Sequence, residues 1–354
     1  MTSYEKLFRT LRGEPVDSYA VMPYNGNFAI QAAGYDMMDC YTDGRKLAEA
    51  QARAWELVGQ DAIVAQSEQY YMSEALGVKT RLVPGGLPVA EDYPVRELRD
   101  IGRLKVPDPY TDGRMYVYIE AVGLLAERFG REVPIRAPGT GAFALAGHLM
   151  TPTELVVSIC EAEADEDLDA QRRLLDLMEI TSECHYRFAE ACVRAGATLV
   201  QSGDSLASLD MISPAIYEKY AYPYEKRFFE RISCLKQTYS FAAILHICGN
   251  NTKIAPLLAD TGCDILECDY KIDLAQYVGL TGGKVCLQGN LNPAGRLLTG
   301  TPEEVRREAE AALRAAQGAR FILGSGCEVA PQTPVENLRA LVACGHAAAP
   351  SRAT

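Results

Sequence analysis

Short apolar runs alternate along the chain with longer stretches whose apolar residues return at helical spacing. The runs fall at Tyr19–Tyr24, Asp61–Ala65, Val133–Gly139, Ala197–Gln201, Phe241–Leu245, Asp264–Cys268, Val285–Asn290 and Ala319–Leu323. Most read as strands buried on both faces, the form taken in a parallel sheet with helices on it. Eight such strands alternating with helices predict an α/β fold, a (β/α)8 TIM barrel.

The link between the second and third strands is longer than a crossover needs and holds Leu82-Val83-Pro84-Gly85-Gly86-Leu87-Pro88-Val89. It predicts an insertion with its own turn, at the mouth where substrate access is shaped. Leu7, Phe8 and Leu11 mark a helix over the barrel bottom, ended by Gly13 and Pro15. Thr301-Pro302 opens a late helix, and Pro334 to Cys344 makes the closing one. The expected organisation is one domain, residues 1–346, with 347–354 as a C-terminal tail.

Composition narrows the function classes. The net charge is −12 and no basic block is present, which argues against nucleic acid or an anionic membrane as a partner. The chain has no run of about eighteen apolar residues, and Met1 to Lys6 lacks a basic segment leading into an apolar one. A cytoplasmic protein is expected. Its eleven cysteines are scattered and odd in number, which suits reduced thiols better than a disulfide framework.

Candidate chemistry lies where two strands end. His246-Ile247-Cys248 follows the fifth strand, and Cys327 follows the eighth in Gly324-Ser325-Gly326-Cys327-Glu328. In one parallel barrel both strand ends open on the same face, and residues i and i+2 of a strand point the same way. One nitrogen and two sulfurs form a three-ligand set suited to zinc, with a fourth position left for substrate. The same residues also fit a structural reading, two buried thiols and a satisfied core histidine.

Asp204 and Glu267 each fall near the carboxyl end of a strand, where they are candidates for catalysis. Asn25 in a polar turn, Gln288 and Asn290 are candidate substrate contacts or loop anchors. Glu74 is either the ligand that fills the open zinc position when substrate is absent or a surface glutamate. Tyr70 and Tyr71 suit packing on a flat ring or in a local cluster, and His148 reads as a helix residue. The glycines of Gly139-Thr140-Gly141 open the backbone to close approach by a ligand.

Taken in order, these motifs resemble a known family. His246 to Asn250, Leu287-Gln288-Gly289-Asn290-Leu291-Asn292-Pro293, Ser213-Pro214 before an aromatic-rich helix, and Gly326-Cys327-Glu328-Val329 are similar to the uroporphyrinogen decarboxylase superfamily. Within it they look most like the corrinoid-dependent methyltransferase branch, whose archaeal members methylate coenzyme M. The resemblance spans Leu11 to Leu338. The decarboxylase branch carries an arginine-rich segment after its first strand. Here Tyr24-Asn25-Gly26-Asn27-Phe28 stands in that place, with no arginine from there until Arg45.

The methyltransferase resemblance implies zinc on His246, Cys248 and Cys327. It also implies a methyl group moved between a corrinoid (cobalamin) on a separate carrier protein and a small acceptor. Two thiolates cancel the charge of Zn2+, so a third from the substrate makes the site anionic and keeps electron density on the attacking sulfur. The reverse flow, first-step demethylation of a methoxylated or methylated substrate onto cobalt(I), and a decarboxylase-like activity stay open alternatives. Relatives of this kind also imply a homodimer.

Overall fold

A computed structural model describes residues 1–350; the last four residues of the expected tail lie outside it. Its main sheet has seven parallel strands: β1 (Ile63–Val64), β4 (Ile135–Ala137), β5 (Leu199–Gly203), β6 (Ala242–His246), β7 (Ile265–Cys268), β8 (Cys286–Leu291) and β9 (Phe321–Ser325). Between β1 and β4 lies a hairpin of β2 (Lys79–Arg81) and β3 (Val89–Asp92), the expected insertion. The eighth barrel strand is the first run of the chain, reduced to a bridge between Val21 and Leu323. Met22 N donates to Leu323 O at 2.8 Å on one side, and Asp61 N donates to Val21 O at 2.8 Å on the other. The (β/α)8 barrel is thereby closed. Pro23 and the turn after it keep this strand short.

Inside the barrel the side chains form layers. The lower layer is apolar: Ala20, Ala62, Leu199, Ala242, Ile244, Ile265, Cys286 and Ile322 cluster there with Leu7 of the helix Ser3–Leu11. That helix plugs the bottom as expected. Two residues further along several strands the inward positions turn polar, as Arg136, Gln201, His246, Glu267 and Gln288, all buried. Residues on the outer strand faces, such as Val200, Ala243, Leu245, Leu266, Leu287 and Leu323, pack instead into the larger core beneath the helices.

Asp61 fastens the bottom. Its carboxylate accepts from Ser3 Oγ (2.6 Å) and Val21 N (2.8 Å), and pairs with Lys6 Nζ (3.3 Å) and His346 Nε2 (2.7 Å). One buried side chain thus joins the first helix, the first strand and the helix Val335–Ala347. Burial opposes its ionisation, but the hydrogen bonds from His346 and Ser3 outweigh that and hold its pKa below the usual value. Asp61→Asn is expected to cost about 1.5–3 kcal/mol in urea unfolding at pH 7, the range for hydrogen bonds to a charged group. Because the folded-state pKa is depressed, the stabilisation is present above roughly pH 4 and is lost as the pH falls further. The gap between wild type and variant should therefore narrow in acid.

No single helix among the described residues is long and apolar enough to cross a membrane. The zone from Pro152 to Gly196 divides into two helices, Pro152–Ala164 and Leu168–Ala195. Helix Val335–Ala347 runs one residue into the expected tail.

Candidate metal centre

Strand β6 ends at His246, and the chain then turns so that Cys248 faces the same side; Cys327 arrives from the segment after β9. His246 Nε2 lies 3.1 Å from Cys248 Sγ and 3.7 Å from Cys327 Sγ, and the two sulfurs are 3.5 Å apart. All three ligand atoms fall within 4.8 Å of one another, and among the described residues this is the one cluster of at least three such groups. His246 is buried while both cysteines are half-buried, so the trio opens upward.

The donor set fits a zinc ion. The hydrogen bond from Cys327 and the charge of His246 hold the Cys248 thiol well below its ordinary pKa, and the same contact pushes Cys327 up. The trio thus already favours a thiolate. A divalent cation supplies the charge that the shared proton otherwise provides.

The imidazole is oriented from beneath. His246 Nδ1 sits 3.2 Å from Glu267 Oε2, although it finds no well-aligned hydrogen bond there. Glu267 is gripped by Arg136, whose Nη1 and Nη2 donate to its two oxygens at 2.7 Å each, and by Gln288 Nε2 at 2.7 Å. Arg136 also donates to Gln201 Oε1 and lies over the Tyr24 ring, 4.4 Å from its centroid. Burial opposes ionisation of Glu267, yet Arg136 and His246 hold its carboxyl down to about 2. Glu267 therefore stays an anion that turns Nε2 toward the sulfurs, the arrangement by which a carboxylate orients a metal-ligating histidine.

Above the trio lies a cavity of about 400 Å³, lined by His246, Cys327, Tyr24, Tyr70, Tyr93 and His148 among others. Leu87 and Pro88 of the inserted hairpin form part of its wall, as expected for a loop that shapes access. Two carboxylates reach it, Glu68 and Glu328, and no Lys or Arg does. Glu328 Oε1 accepts from Asn27 N and Nδ2, both at 3.0 Å. Burial pushes the Glu328 carboxyl up to about 7 against those two donors. Burial likewise lowers His148 to about 4, so its ring is neutral at pH 7.

None of the other candidates is part of the trio. Asp204 is fully buried and takes backbone hydrogen bonds from Phe143 (3.2 Å) and Ala144 (2.5 Å) at the start of helix Ala142–Met150. A Cβ at Gly141 would lie 2.5 Å from that carboxylate, so the glycine lets the helix end close on Asp204. The amides that the glycine-rich turn frees are thus used by the protein's own side chain. Glu74 is held by Arg114 at 2.6 and 2.7 Å and by Thr80, outside the cavity lining. Asn25 is buried with neither amide atom partnered. Asn290 donates to Asp269 O and Ile272 O on the outer side of β8, and Gln288 serves Glu267 and Met22 O. Tyr71 packs against Tyr118 and Phe188, whereas Tyr70 reaches the cavity beside His148.

Sequence reasoning passed over Arg136, Gln201, Glu68 and Glu328 as site residues. Arg136 carried a signal: a lone charge inside the apolar strand Val133–Gly139 has to find a buried partner.

Comparison with known proteins agrees with this architecture. Methylcobamide:CoM methyltransferase MtbA of Methanosarcina mazei is 28% identical over 353 residues, covering 97% of this chain and 98% of that protein. MtaA of Methanosarcina barkeri, another methylcobamide:CoM methyltransferase, is 27% identical over 347 residues, covering 96% of each. A solved methyltransferase from Methanosarcina mazei superposes with a TM-score of 0.85 at 26% identity, over 97% of this chain and 98% of that one. The family described as Uroporphyrinogen decarboxylase (URO-D) matches residues 2–348, from the helix under the barrel to the one that closes it. With barrel, strand order and match all running the length of the chain, the protein belongs to the uroporphyrinogen decarboxylase family.

Proposed function

We propose that this protein is a zinc methyltransferase that moves a methyl group between a corrinoid on a separate carrier protein and a small thiol. The observation that carries the reading is the convergence of one imidazole nitrogen and two thiol sulfurs beneath an open cavity. The methyltransferase names of its relatives support corrinoid-linked transfer. Its cavity also suits a porphyrinogen poorly, because no Lys or Arg lines it to meet several carboxylates.

Zinc, when bound, lowers the pKa of a thiol that joins it as fourth ligand. The protein's share is to hold the ligands and admit the thiol. Glu267 orients His246, the two cysteines offset the ion's charge, and the open cavity admits the thiol to the fourth position. That sulfur gives its electron pair to the methyl carbon. The cobalt–carbon bond breaks with its pair left on cobalt, and the thiol proton passes to solvent. The carrier is expected to dock over the barrel mouth, with Tyr70 of the cavity wall as a candidate contact for its flat ring.

Elemental analysis after dialysis is expected to find about one zinc per chain, and methylcobalamin with a simple thiol should yield the methyl thioether. No metal after reconstitution, or porphyrinogen decarboxylation by the metal-free protein, would overturn the reading. Methyl loss from a methoxylated compound onto cobalt(I), with none to thiols, would reverse its direction.

A further inference from the structure

The cavity's charges are unevenly matched. Arg136 is spent on Glu267, and Arg114 serves two carboxylates, Glu68 at 3.0 Å and Glu74 at 2.6 Å. Glu328 forms no ion pair among the described residues. Its Oε1 is occupied by Asn27, while Oε2 has no protein donor and is not among the sealed, unpartnered atoms. This carboxylate lines the cavity one residue from Cys327, next to where a fourth ligand would bind.

The remaining wall carries no charged side chain apart from Glu68 and the ligand histidine: the rings of Tyr24, Tyr70 and Tyr93 and the uncharged His148 stand beside neutral polar groups such as Gln69 and Thr140. Aromatic faces beside a carboxylate attract cations, whereas an anion would find neutral donors and no opposite charge. A sulfonate or carboxylate head would share the cavity with Glu328 without a Lys or Arg to offset it.

We infer that the small thiol accepted here carries a positively charged amine close to its sulfur, recognised by Glu328, and that thiols with an anionic head are disfavoured. The inference rests on the thiol methyltransferase reading above. In this arrangement zinc takes the sulfur, the carboxylate takes the ammonium, and the two contacts set the direction of the bound molecule. Glu328 is then a specificity-determining residue.

The test uses zinc-loaded protein and three two-carbon thiols of different head charge: 2-aminoethanethiol, 2-mercaptoethanol and 2-mercaptoethanesulfonate. Each is titrated by calorimetry at about pH 8, where the Glu328 carboxyl is ionised and the amine still protonated, and then assayed as methyl acceptor from methylcobalamin. The amine should bind at least about tenfold tighter than the sulfonate, and Glu328→Gln should shrink that ratio by about tenfold. A ratio between ligands within one variant is insensitive to any general loss of activity or folded protein. Equal or tighter binding of the sulfonate, or an unchanged ratio in Glu328→Gln, overturns the inference, while transfer to 2-mercaptoethanol would leave the methyltransferase reading standing. Neither binding nor transfer with any of the three overturns both.

Discussion

Cys327→Ser is expected to lose zinc and methyl transfer together while keeping the fold. Changes to groups that merely orient a ligand typically cost 10–100-fold in metal affinity, so removing a ligand should cost at least about 100-fold. The serine hydroxyl does not ionise near neutral pH and is a poor partner for zinc beside a thiolate. Removing Cys327 also removes the hydrogen bond that lowers the Cys248 thiol, so the remaining cysteine becomes the weaker ligand. The barrel core is unaffected, because Cys327 is half-buried in the loop after β9 and belongs to neither apolar cluster. Elemental analysis and a thermal melt on the same sample check both halves. A variant that unfolds with its zinc retained would make Cys327 a structural thiol and remove the site.

Arg136→Met is expected to be the most damaging single change to stability. Glu267 would keep its charge while buried, with Gln288 Nε2 as its one well-aligned donor and His246 Nδ1 3.2 Å away. Removing one partner of a buried ion pair typically costs about 3–5 kcal/mol. The methionine fills much of the same volume, so the loss reports the stranded carboxylate rather than a void. Urea unfolding should show the loss, and it should shrink as the pH falls and Glu267 takes up a proton. In the double variant Arg136→Met, Glu267→Gln no carboxylate is stranded, and most of the stability should return. Zinc affinity should not recover with it, because His246 has lost the anion that orients it. Full recovery of both would mean that Glu267 plays no part in holding the imidazole.

How legible these features were in the residues depends on how local their causes are. The barrel was readable because each strand announces itself by a short apolar run and each helix by a 3.6-residue period, with prolines and glycines between. The ligand trio was readable for the same reason. A strand end followed by His246-Ile247-Cys248 and another followed by Cys327 share a face in any parallel barrel. Even the weak first strand was found, although pairing reduces it to a single bridge at Val21.

Partners drawn from other strands were not readable. Asp204 and Glu267 sit alike at strand ends, yet one caps the helix at Ala142 and the other grips Arg136 beneath the imidazole. Glu74 has the chemistry of a ligand, but Arg114, brought in by the helix Met115–Phe129 it precedes, takes both its oxygens. Sequence by itself determined which residues face inward and which face of the barrel they reach, because side-chain period and parallel order are local and topological rules. Tertiary structure alone decided which carboxylate meets which cation and which is left facing the cavity. A hydrogen bond spans about 3 Å, and the register that brings two side chains so close is set only when all eight strands have closed.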